Sequence, residues 1–242
     1  MQAVCSPRMA DVALVTGAGR GLGRELARLL AARGLHVLCH AREAAAAAAV
    51  AAEVGGEPVV GELADEAGVE HVAAAVRART PRLDLLLHNA GVMPAGSVRD
   101  VAWHVLERAL AVNALAPIVL TRELLPLLEA AAHPRVVVVS SQMGRLSTMR
   151  ENHADNVDLY GPLLPYRVSK CAVNAFVALA DAELGERIDF VTLHPGWIRT
   201  DMGGPDADLA PAEAAAEVVR IALDRVGAPS GSFVVDGRRS AW

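Results

Sequence analysis

An α/β domain built on a doubly wound parallel sheet is predicted by two observations. Seven short apolar runs alternate with helical stretches, and the first run opens into a glycine-rich turn that leads straight into a helix. Such alternation implies parallel strands joined by right-handed crossovers, with helices on both faces. The runs are Val12 to Thr16, His36 to His40, Pro58 to Gly61, Leu83 to His88, Arg135 to Ser140, Asp189 to His194 and Ser232 to Val235, so a seven-stranded sheet is expected. Sites in open α/β sheets lie beyond the carboxyl ends of the strands, so the residues closing each run are read for chemistry. At 242 residues, 53% hydrophobic and only 3% aromatic, the chain suits a single domain over 1–242 with an Ala, Val and Leu core.

The first run ends in Gly17-Ala18-Gly19-Arg20-Gly21-Leu22-Gly23 and a helical stretch from Arg24. Glycines let the backbone approach a pyrophosphate closely, and the start of the following helix offers it free amide donors. The spacing departs from the G-x-G-x-x-G fingerprint of many dinucleotide sites. Ala44 to Ala49, after the second run, is read as a plain surface helix, since alanine is the best helix former. The fourth run leads into Asn89-Ala90-Gly91, with Asn113 in a helix beyond it, and the fifth into Ser140-Ser141-Gln142-Met143-Gly144. In Tyr166-Arg167-Val168-Ser169-Lys170 the phenol and the ammonium lie four apart, on one face of a helix. A phenol has a pKa near 10, and a neighbouring ammonium favours the phenolate, which turns the pair into a usable acid. The sixth run ends at Pro195-Gly196-Trp197-Ile198-Arg199-Thr200.

Thr16 to Gly23 matches T-G-x-x-x-G-x-G, Tyr166 to Lys170 matches Y-x-x-x-K, and the Asn89, Asn113, Ser141 and Pro195 motifs follow in order. The chain thereby resembles the short-chain dehydrogenase/reductase family over nearly its whole length, which implies a single-domain Rossmann fold. The resemblance makes Tyr166 the general acid in carbonyl reduction and the base in alcohol oxidation. It gives Lys170 a second bond to the nicotinamide ribose, Ser141 the substrate oxygen, and Asn113 a water chain behind Lys170. Ser141 is preferred to Ser140 because it stands three residues before Gly144; Tyr160 is set aside because Leu164, not a lysine, lies four positions on. The cofactor contacts implied are Gly17, Gly19, Arg20, Gly21, Leu22, Gly23, Arg42, Glu62, Leu63, Asn89, Ala90, Gly91, Tyr166, Lys170, Pro195, Gly196, Ile198 and Thr200.

Charge points to the cofactor. The acid that bonds a ribose 2′-hydroxyl in NAD enzymes belongs at the end of the second strand, where the chain reads Cys39-His40-Ala41-Arg42-Glu43. Ala41 replaces the acid, and Arg42 with Arg20 suits a 2′-phosphate, so NADP(H) is expected. The separation of Ser141 and Tyr166 exceeds the family pattern, and the extra segment, Met149 to Leu164, carries Glu151, Asp155 and Asp158. With the chain's ending, Asp236-Gly237-Arg238-Arg239, it resembles carbonyl-reductase-like members. A loop there flanks the substrate pocket and in some relatives obstructs helix pairing, so monomer and homodimer both stay open. Asp201 to Leu209 is expected to form a small mobile lid, with Met202 and Leu209 as substrate contacts.

Composition excludes other classes. A net charge of −5 with no basic run gives no footprint for nucleic acid or an anionic membrane. Cys5, Cys39 and Cys171 lack the spacing of a disulfide framework or zinc site, and no metal is expected from the scattered histidines. No apolar run is expected to reach the roughly 20 residues of a membrane span, and the N-terminus is too short in apolar length for a signal peptide, which leaves the cytoplasm. The expected partner is a small, mostly apolar ketone, aldehyde or secondary alcohol. The alternative is an NADP(H)-binding regulatory or signalling protein with little turnover.

Overall fold

The computed structural model describes residues 10–151, 153–154, 161–223, 225 and 227–242. Among them eight strands form one sheet: β1 (Val12–Val15), β2 (His36–Ala41), β3 (Glu57–Val60), β4 (Leu85–His88), β5 (Arg135–Val139), β6 (Asp189–His194), β7 (Ser232–Val235) and β8 (Arg238–Ser240). Their order is β3-β2-β1-β4-β5-β6-β7-β8. The first seven are parallel and coincide with the apolar runs within two residues, but the expected seven-stranded sheet gains β8, antiparallel to β7. Asp236 and Gly237, at φ 49° and 69°, make the tight turn between them, the conformation that Asp-Gly hairpins favour. Trp242 then stacks on Phe233, ring centroids 5.9 Å apart.

The pleat divides the strand residues between two cores. Ala13, Val15, Val37, Cys39, Leu85, Leu87, Val137, Val139, Val191 and Leu193 face one side. There they meet α1 (Gly21–Ala32), α2 (Ala44–Val54) and the last helix, Pro211–Leu223. Val12, Leu14, Leu38, Val59, Leu86, Val136, Val138 and Phe190 face the other, against α3 (Glu66–Arg77), α5 (Ala116–Glu129) and α6 (Leu164–Leu184). Both faces are covered, which is why these strands read as unbroken apolar runs rather than alternating ones. We label Pro211–Leu223 α7. The alanine-rich stretch is the helix α2, closed by Gly55 in the left-handed conformation.

Between α4 (Trp103–Leu110) and α5 the chain makes a π-helical turn, Ala111–Leu115, in which the Ala116 amide bonds the Ala111 carbonyl. Pro117 has no N–H to give the carbonyl four residues back, that of Asn113, so regular α-helix is interrupted there. The continuous helix Trp103–Glu129 corrects one expectation: an 18-residue window averages a hydropathy of 1.4, long and apolar enough to cross a membrane. Half of that window is buried inside the domain.

Candidate active site

The strand order reverses between β1 and β4, and there a cleft of about 1030 Å³ opens at the carboxyl ends of the strands. Its floor is the contact of two turns. A Cβ on Gly17 would lie 2.9 Å from Ala90 Cα, and one on Gly23 would lie 2.1 Å from the Gly17 carbonyl oxygen and 2.6 Å from Asn89 Nδ2. Only glycine fits at these two positions. Asn89 donates through Nδ2 to the Thr16 and Gly17 carbonyls at 3.0 and 3.3 Å, while Thr16 Oγ1 accepts from the Asn89 and Ala90 amides. Arg20, at the head of α1, makes no side-chain cap, and the bare start of the helix lines the cleft.

At the end of β2, Ala41 is buried, whereas Arg42 is exposed at the rim and 3.7 Å from Glu43. Arg20 does not sit with Arg42. Its guanidinium is ion-paired with Asp201, on the segment after β6, both side chains being more than three-quarters exposed. Glu62 accepts from the Leu63 amide at 2.8 Å, and both residues line the cleft.

On the other side of the switch point, α6 brings Tyr166 and Lys170 onto consecutive turns, 8% and 5% exposed. Lys170 Nζ stands 5.7 Å from the Tyr166 ring centroid and donates to the Val139 carbonyl at 2.9 Å. Burial lowers its pKa from the usual 10.5 to about 8, so it remains mostly cationic at neutral pH. Ser141, beyond β5, accepts the Met143 amide at 3.1 Å on Oγ, which leaves its own hydroxyl hydrogen for a ligand. Asn113 is 1% exposed and does not line the cleft. It accepts from the Val92 amide and donates to the Val92 carbonyl, both at 2.8 Å, and to Ser169 Oγ at 2.9 Å. A Cβ on Gly91 would be 3.2 Å from Asn113 Oδ1 and 3.8 Å from Lys170 Nζ, so Gly91 lies between them.

The profile of the short chain dehydrogenase family matches residues 11–209. The chain belongs to the short-chain dehydrogenases. C-signal of Myxococcus xanthus is 38% identical over 151 residues, spanning 62% of this chain and 86% of that protein. Dehydrogenase/reductase SDR family member 13 of Bos taurus is 37% identical over 201 residues, 78% of this chain but only 52% of the relative. The NADPH-bound carbonyl reductase from chicken fatty liver superposes with a TM-score of 0.84 at 27% identity, covering 96% of this chain and 99% of that one. The fold and the carbonyl-reductase likeness expected from the sequence are thus met.

In this short-chain dehydrogenase every catalytic and cofactor residue expected from the sequence lines the cleft except Asn113, which supports it from behind. Sequence reading missed several. Ser140, set aside as a strand end, donates to Asn174 Oδ1 at 2.6 Å, and Asn174 Nδ2 donates to the Gly144 carbonyl at 3.1 Å. Asn174 lies one turn beyond Lys170, so Lys170 to Asn174 was the available signal. His40, with both ring nitrogens bonded, was also missed, as were Met93 and Met143, which pack with Leu163 beside Tyr166.

One expectation about the rim changes. Leu209 does not line the cleft: its Cδ1 fills the space over Gly196, where a Cβ would come within 2.5 Å, and its backbone bonds to Trp197 and Arg199. Met202 does line it. The lid segment takes hydrogen bonds from the turn before it, with Trp197 Nε1 donating to the Gly203 carbonyl and Arg199 to those of Ala207 and Asp208, each at 2.7 Å. Of the inserted segment, Asp155, Asp158 and Tyr160 lie outside the described residues. Its end is pinned beside the strand-β4 exit, where Gly96 donates to the Pro162 carbonyl at 2.9 Å and the Leu164 amide to that of Gly96 at 3.0 Å.

Proposed function

We propose that this short-chain dehydrogenase is an NADP(H)-dependent oxidoreductase that interconverts a small to medium, mostly apolar ketone or aldehyde with its alcohol. The observation that carries the reading is the convergence of Ser141, Tyr166 and Lys170 on one end of a cleft whose other end is the glycine turn and Arg42. A bound nicotinamide supplies the hydride. Glycine at 17 and 23 lets the turn pack against Ala90 and on itself, and the uncapped start of α1 that lines the cleft offers free amides to a pyrophosphate. Arg42 takes the 2′-phosphate, with Glu62 and Leu63 beside the adenine, and Ile198 and Thr200 hold the carboxamide. Lys170 has two ammonium hydrogens left after its bond to Val139 for the nicotinamide ribose.

Ser141 donates its free hydroxyl hydrogen to the substrate oxygen, and Tyr166 protonates that oxygen as negative charge develops on it. The Lys170 ammonium on the next turn supports a phenolate left at Tyr166, and Asn113 holds the Val92 backbone and Ser169 behind them. Met93, Met143 and Met202 make an apolar, adaptable wall for the substrate. The carbonyl reductase and ketoreductase names of the structural neighbours agree with this reading.

A second reading, a cofactor-binding signalling protein, is favoured by one observation: a relative at 38% identity is named C-signal. NADPH oxidation with a panel of diketones, quinones and aromatic ketones tests the two. Turnover of any of them supports the enzyme. Tight NADPH binding with no turnover across the panel contradicts it.

A further inference from the structure

We propose that His40 is a positioning residue for the dinucleotide, a neutral imidazole that latches the first glycine of the phosphate turn to the end of β3. The inference rests on the NADP(H) reading above.

His40, the penultimate residue of β2, is 3% exposed and lines the cleft. The Gly17 amide donates to its Nδ1 at 3.2 Å, and its Nε2 lies 3.1 Å from the Gly61 carbonyl oxygen. An N–H can only donate, so Nδ1 is the unprotonated nitrogen; the proton then sits on Nε2 and is given to Gly61. This fixes a single tautomer. Burial also lowers the imidazole pKa, which keeps the acceptor available. The His40 carbonyl takes the next amide of the turn, that of Ala18, at 2.7 Å. One residue therefore holds two consecutive peptides of the phosphate turn.

What it holds is a turn that only glycine can make. Gly17 has φ +68° and no room for a Cβ against Ala90. At the other end, Gly61 leads directly into Glu62 and Leu63, which line the cleft. The imidazole thus joins the wall that meets phosphate to the wall that meets adenine. The adenosine half of the cleft is pre-organised before ligand arrives, which lowers the ordering cost of binding. Tyr166, Lys170 and Ser141 lie on other elements, so the latch acts on binding rather than on proton transfer.

Two polar variants separate the ring nitrogens. His40→Asn carries an amide oxygen near the Nδ1 position and can still take the Gly17 amide. His40→Gln carries its amide near Nε2 and leaves the Gly17 amide without an acceptor. Each variant breaks one end of the latch, so we expect direct NADPH titration to put both about tenfold weaker than the parent, the scale of one lost hydrogen bond with an unsatisfied partner. NADH affinity falls by the same factor, because the turn serves both cofactors, and the loss in KM for cofactor greatly exceeds the loss in kcat. Either variant binding as tightly as the parent, or one that loses kcat at unchanged Kd, overturns the latch. If the parent itself binds neither dinucleotide, the proposed function fails instead.

Discussion

Gly144 rests on the backbone of Lys170: a Cβ at Gly144 would stand 2.7 Å from the Lys170 carbonyl carbon and 2.8 Å from its Cβ. The turn that carries Ser141 is thereby set directly on the helix that carries Tyr166 and Lys170. Neither backbone yields cheaply, so Gly144→Ala is expected to destabilise by about 1–3 kcal/mol, as overpacking does. It should also displace Ser141 and lower kcat at least tenfold, by about 1.4 kcal/mol or more. Thermal unfolding and steady-state kinetics check both; an alanine variant with parental kcat would separate the Gly144 contact from Ser141 placement.

Asn174 fastens the same two pieces by hydrogen bonds, to Ser140 and to the Gly144 carbonyl, and is 3% exposed. Asn174→Leu leaves the buried Ser140 hydroxyl without its partner, a loss of about 1–3 kcal/mol. Chemical denaturation measures it. Ser140→Ala in the Asn174→Leu background should recover part of the loss, since the stranded hydroxyl is then gone.

Lys170 gives a pH dependence of definite sign. Its pKa falls from 10.5 in the usual state to about 8 when buried. Below about 8 both native and unfolded chains carry the proton, and the full penalty for a buried ammonium is present. Between about 8 and 10.5 the unfolded chain binds a proton that the native one does not, so this residue's contribution raises stability with pH. The slope of parent minus Lys170→Met unfolding free energy should be positive there, up to about 1.4 kcal/mol per pH unit. A flat or negative difference would contradict the burial argument.

Cofactor preference rests mainly on Arg42, because Arg20 is already engaged by Asp201. A charged hydrogen bond contributes about 1.5–3 kcal/mol and exposure trims it, so on the proposed reading NADPH should be preferred by roughly ten- to a hundredfold in kcat/KM. Arg42→Ala should remove most of that and Ala41→Asp should reverse it. Asp201→Asn, by releasing Arg20, should tighten NADPH severalfold with little change for NADH. Kinetics with both cofactors on the three variants decides, and an NADH-preferring parent would count against Arg42.

The sequence showed the parts of this molecule that local pattern controls. Residues 85–87 and 136–139 are apolar at every position because helices cover both faces, and the glycine turn and Tyr166 with Lys170 are close in the chain. What stayed hidden depends on distant partners. His40 looks like any strand-end histidine until Gly17 and Gly61 are brought to it, residues 23 and 21 positions away. Asn174 becomes a clamp only when β5 delivers Ser140 from 34 positions off. The eighth strand was foreshadowed by Asp236-Gly237, but Arg238–Ser240 is too short and polar to announce itself. The π-helical turn at Asn113 had a trace in Pro117, whose effect falls on a carbonyl four residues earlier.

The central claim is that Tyr166 delivers the proton in a reaction that NADPH drives. Its most direct measurement compares NADPH Kd and ketone turnover for the parent and Tyr166→Phe, which removes one hydroxyl and keeps the ring. We expect an unchanged Kd within about threefold and a fall in kcat of about 10² to 10⁴, the usual worth of general acid catalysis. A Phe variant that keeps more than about a tenth of the parental turnover contradicts it.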